Sequence, residues 1–91
     1  MAIDKHFYYI QLHLTDETPI QLELYSDKSE ADKHYNLMLR DKQGLKDSFV
    51  GLTNIPTEEF ASLSIIAVHE RYGHQVSQAC VRCNKFSEVV A

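Results

Sequence analysis

Apolar and mixed positions alternate from Tyr8 to Leu14. Tyr8, Ile10, Leu12 and Leu14 share one face; Phe7, Tyr9, Gln11 and His13 share the other. Ile20, Leu22 and Leu24 alternate in the same way with Gln21, Glu23 and Tyr25. A period of two marks half-buried strands, because successive side chains of a strand point to opposite faces. Residues 15–19 between them are polar and end in proline, which predicts a loop. Setting Leu14 opposite Ile20 pairs Leu12 with Leu22, Ile10 with Leu24, Gln11 with Glu23 and Tyr9 with Tyr25. Every apolar pair of core type then falls on one face, as expected of an antiparallel hairpin.

After the hairpin the period changes. Ala31, Tyr35, Met38 and Lys42 recur at helical spacing, flanked by His34 and Leu39. Ser29 with Asp32, or Asp27 with Glu30, supplies a capping box. Gly44 suits a helix end, and Arg40 and Lys42 suit its negative pole. The pattern predicts an amphipathic helix from Ser29 to Gln43. Residues 48–52, Ser-Phe-Val-Gly-Leu, offer a third strand, weakened by Gly51. Some third strand is required, because a lone hairpin is marginal in water.

The C-terminal half predicts two helices. Residues 54–59 read as a helix start, with Pro56 early and Glu58 and Glu59 in the first turn. Phe60, Leu63, Ile66 and Ala67 follow at helical spacing, although the β-branched Ile65, Ile66 and Val68 also suit a strand over residues 64–70. Gly73 breaks the pattern. Val76, Ala79, Cys80, Cys83, Phe86 or Ser87, and Val90 then recur at i, i+3, i+4 and i+7. The expected fold is α+β: a hairpin with an optional third strand, one helix packed on it, then two C-terminal helices.

Composition narrows the class. The chain has 91 residues, 44% of them apolar and 24% charged, an ordinary globular mix that fits a single domain over 1–91. No apolar run approaches the roughly 18 residues of a membrane span, and the N-terminus has no signal-peptide core, so cytoplasmic residence is expected. The net charge of −4 disfavours nucleic acid, whose binding draws on Lys and Arg at phosphates.

Candidate chemistry concentrates near the C-terminus, at His69, Glu70, His74, Cys80 and Cys83. His69-Glu70 and His74 resemble the zinc-protease motif H-E-x-x-H. The histidines, however, are five apart, about 140° around a helix instead of one turn. Cys80 and Cys83 form one C-x-x-C. With His69 and His74 they make a four-ligand zinc set if the chain turns back at Gly73. On the expected last helix, though, both cysteines fall on the apolar stripe, where Cys packs as a small hydrophobe. Residues 76–82 resemble the recognition helix of helix-turn-helix regulators, with Arg82 and Lys85 as the basic residues. The small residue and turn glycine of that motif fall on Arg71 and Gln75. The chain has no G-x-S-x-G, P-loop or G-x-G-x-x-G, so neither catalysis nor a cofactor is expected.

The leading expectation is a non-enzymatic binding protein that docks on a larger protein as inhibitor, adaptor or regulator. Size alone suggests the phage or mobile-element kind. Phe7, Tyr9 and Tyr25 lie on the hairpin face away from the core side and are the expected partner-binding residues, since such aromatics anchor interfaces. The hairpin edge could also take a partner strand or a second copy of the chain. A Cys/His zinc module and a DNA-binding regulator are the two alternatives.

Overall fold

The computed structural model describes residues 3–86. Along the chain run β1 (Asp4–Leu14), β2 (Pro19–Tyr25), α1 (Lys28–Arg40), α2 (Lys42–Ser48), β3 (Phe60–Arg71) and β4 (His74–Lys85). Short 3-10 turns occupy Val50–Leu52 and Thr57–Glu59. The strands form one antiparallel sheet in the order β2-β1-β3-β4. No described helix is long and apolar enough to cross a membrane.

The hairpin forms, with a different register. Pro19 is the first residue of β2 and not the end of the loop, a position on an edge strand where a missing N–H costs nothing. Leu14 N–H donates to the Thr18 carbonyl, and Leu12 then faces Ile20. This slip of two residues keeps the same faces together. An irregularity between Tyr9 and Gln11 then adds one residue on β2, so that Tyr9 faces Leu24 and Tyr8 faces Tyr25. Beyond such a bulge the faces exchange. Leu24 turns away from the core, and Tyr25 packs against it.

The expected long helix is two helices. Asp27 caps α1 by accepting from Ser29 N–H, which selects the earlier of the two capping options. α1 stops at Arg40, and Asp41 caps α2 by accepting from Gly44 N–H at 2.9 Å. Gly44 therefore belongs to the first turn of a second helix. A Cβ there would collide with the Asp41 carboxylate, so the cap requires the glycine. Residues 48–52 end α2 and form a 3-10 turn; they are not a strand.

The two C-terminal helices are the main correction: those segments are β3 and β4. The helix-start signals at Pro56, Glu58 and Glu59 produce only one 3-10 turn before Phe60 opens β3. β3 lies between β1 and β4, and residues on both of its faces are buried: Leu63 and Ile65 in the core under the helices, and Ser64, Ile66 and Val68 among strand side chains on the other face. A strand buried on both faces loses its polar alternation and satisfies a helical period equally well. β4 misleads differently. Irregularities between His69 and Glu70 and between Ile65 and Ile66 on β3 leave Val76 and Val81 as extra residues on β4. Each resets the alternation, and the resulting spacings of three imitate a helix. Tyr72 and Gly73 join the strands with φ of 53° and 79°, the two left-handed residues of a tight hairpin turn. The apolar stripe of the expected last helix also included Ser87 and Val90, which lie outside the described residues.

Topology explains where the helices sit. β2 and β3 both run antiparallel to β1 and flank it, so they are parallel to each other. Parallel strands cannot be joined by a tight turn. The connection must pass over β1, and α1 and α2 make that passage while covering one sheet face. Ala31 and Tyr35 of α1 and Leu45 of α2 pack there with Ile10, Leu12, Leu63 and Ile65. Phe60 and Phe86 close one end of this core. The buried Tyr35 hydroxyl donates to the Leu63 carbonyl at 2.6 Å and accepts from Asn84 Nδ2 at 3.0 Å.

Candidate protein-docking site

No described helix covers the second face of the sheet. The registers arrange it in rows across the strands. Gln21, Gln11, Ser64 and Cys83 form one row; Leu24, Tyr9, Ile66 and Cys80 form the next. Phe7, Val68 and Gln78 follow, then Lys5 and Glu70 with Gln75. The face is thus polar in its two outer rows and mainly apolar in the two rows between them.

Much of the apolar half covers itself. Tyr9, Ile66 and Val68 are only 8%, 6% and 4% exposed, with Phe7 packed beside them. The Tyr9 hydroxyl accepts from Gln78 Nε2 at 3.0 Å. Tyr9 lies on β1 and Gln78 on β4, so this bond spans the central strand β3 between them. Tyr9 is therefore largely enclosed, not the open aromatic surface that alternation predicts.

Tyr25 is also displaced from its expected place. The bulge puts it on the helix side, where its hydroxyl is hydrogen-bonded to His34 Nδ1 at 3.0 Å and its ring meets the imidazole edge-on. Partial burial pushes its phenol up to about 12, with the charges of Glu23 and Glu30 adding to the shift. Even so, Phe7 and Tyr25 still come together. With Lys5, Leu24, Ser26 and Glu70 they line a concavity of about 280 Å³. Leu24 is the most open apolar member, at 56% exposure, and the Lys5 ammonium lies 5.6 Å from the centre of the Phe7 ring. Leu24 was missed by sequence reasoning because a regular register places it in the core; nothing in its neighbours' identities announces the bulge.

This concavity sits at a step in the sheet. β2 pairs with β1 only from Tyr8 to His13, while β1 runs on to Asp4 and stays paired with β3 there. Among the described residues, the outer edge of β1 at Asp4–Phe7 therefore has no neighbouring strand. Backbone donors and acceptors at such an edge are a template for another chain.

The His/Cys set does not assemble. His69 stacks on His6, with ring centres 4.3 Å apart, and its Nε2 lies 3.1 Å from Asp4 Oδ1. Asp4 also accepts from Arg71 Nε at 2.8 Å, and these bonds, Arg71's first, hold its carboxyl below the usual range. His74 faces Arg71 beside the turn. His6 and His69 alternate onto the helix side, whereas Cys80 and Cys83 share the open face with Ile66 and Ser64. The sheet itself separates His69 from the thiols. Among the described residues no group of three or more His, Cys, Asp or Glu is gathered to hold a metal.

The recognition-helix arrangement is likewise absent, since residues 76–82 belong to β4. Arg82 lies over the Tyr35 ring, 4.4 Å from its centre, and bonds Asn36 at 2.7 Å and Asp32 at 3.4 Å. It ties β4 to α1.

No protein family, curated protein or solved structure matches the chain.

Proposed function

We propose that this chain is a non-enzymatic binding protein that docks on a larger protein, as an inhibitor, adaptor or regulator, through the step beside β1. The partner contributes an extended segment that adds alongside Asp4–Phe7, end to end with β2, and seats an apolar side chain between Phe7, Leu24 and Tyr25. The observation that carries this reading is the coincidence of an unpaired strand edge with an apolar concavity. Strand addition uses both at once: main-chain bonds give affinity, and side-chain pockets give selectivity. The cross-strand pair Lys5 and Glu70 brings one charge of each sign to the rim, which suits a segment of low net charge.

Leu24→Asp is the test, because Leu24 is open and its replacement leaves the core packing in place. Affinity capture from the native cells, followed by mass spectrometry, should recover a stoichiometric partner with the wild-type chain and lose it with Leu24→Asp at unchanged thermal stability. Equal recovery by both proteins, or no stoichiometric partner at all, rejects the site.

A further inference from the structure

We propose that Cys80 and Cys83 form a two-thiol site for a soft, thiophilic ion of low coordination number, with Cu(I) as its type. This site is separate from the docking step and does not depend on it. Residues three apart on a regular strand point to opposite faces. The extra residue Val81 changes this. Cys80 faces Ile66 and Cys83 faces Ser64, and those two residues of β3 share the open face. The thiols therefore stand in neighbouring rows of one face, about 6.6 Å apart along the strand. Both are free and exposed. Cys80 Sγ lies 3.4 Å from the Arg82 carbonyl oxygen, over the peptide that leads into Cys83.

Ligand count and geometry select the ion. Thiolates are soft donors that favour Cu(I) over hard cations. Two metal–sulfur bonds of about 2.3 Å hold the sulfurs no more than about 4.6 Å apart, a span that side chains on adjacent rows close by leaning together. A disulfide is more demanding, since it needs sulfurs about 2.05 Å apart and Cα atoms within about 6.8 Å. Adjacent rows sit at that upper limit, so a bridging ion fits better than a direct bond. Structural zinc takes four ligands, and the described residues gather no third or fourth His, Cys, Asp or Glu around this pair. On loading, each thiol releases one proton, two Cu–S bonds form, and copper keeps its oxidation state.

The experiment titrates the reduced full chain, without oxygen, against the coloured Cu(I)–bicinchoninate complex. The wild-type chain should withdraw one copper per molecule. Cys80→Ser and Cys83→Ser should each withdraw none while keeping the wild-type circular dichroism and melting temperature. N-ethylmaleimide labelling of the folded wild-type protein provides the same loss without a substitution. Zn(II) in place of Cu(I) should not survive gel filtration. Wild-type affinity in either serine variant, one copper per two chains, retained zinc, or no copper drawn by the wild type would each overturn the site.

Discussion

Tyr9 and Gln78 are joined across the central strand by a 3.0 Å hydrogen bond between the phenol oxygen and Nε2. The bond ties β1 to β4, which share no register of their own. It also holds the Tyr9 ring against Ile66 and Val68 on a face that no described helix covers. Tyr9→Phe keeps the ring and removes the acceptor, so it should cost about 0.5–1.5 kcal/mol. Tyr9→Ala removes the apolar cover as well and should cost about 3–5 kcal/mol. Urea unfolding of the two variants measures the difference; equal losses would assign the whole effect to the hydrogen bond.

Tyr35 is the corresponding anchor on the helix side. Its buried hydroxyl bonds β3 through the Leu63 carbonyl and β4 through Asn84, and burial raises its phenol above the ordinary value despite Asn84. Tyr35→Phe leaves the Leu63 carbonyl without this donor in a dry site, a loss of about 1–3 kcal/mol. Asn84, which is only partly buried, should cost less when changed to Ala. Thermal unfolding of both variants ranks them, and the reverse order would refute the assignment.

Acid should loosen the end of the sheet near the β3–β4 turn. Asp4 has a folded pKa below its unfolded value, through Arg71 first and His69 second. Its contribution is therefore present above the unfolded value and lost as pH falls through the folded one. Asp4→Asn should lower stability at neutral pH and flatten the loss of stability as pH falls through and below the ordinary carboxylate range. Amide exchange at Lys5 and Glu70, which face each other across β1 and β3, reports this fraying directly.

Base should act at Tyr25. Its folded pKa is raised to about 12, so the neutral phenol is the favoured form beside His34. The contribution is intact below the unfolded value near 10 and is lost as pH rises through about 12. Ultraviolet titration should show a late-ionising phenol that disappears in Tyr25→Phe, and the variant should lose less stability than wild type over that interval. Ionisation of Tyr25 near pH 10 would contradict the packing described.

The alternation over Tyr8–Leu14 and Ile20–Tyr25 was enough to define a hairpin, and the Ala31–Tyr35 stripe was enough to show a helix after it, though not its end at Arg40. These signals are local: an alternation or a stripe is written within a few residues and survives any tertiary setting. The two C-terminal strands were hidden because Ile65 and Ile66, on opposite faces of β3, are both buried and because two extra residues reset the alternation of β4. Whether a segment is central or at an edge is a property of its neighbours, and these neighbours lie far away in sequence. The same reason governs the sites. Phe7 was visible as an aromatic on the outer face, but Leu24 and Tyr25 exchanged faces at a bulge, and the step beside β1 exists only because β2 is the shorter strand. The sequence by itself determined which segments are amphipathic and which side chains are available for contact. The tertiary structure decided which of them meet, because strand register and bulges are fixed by pairing across the sheet and not by the order of residues along one strand.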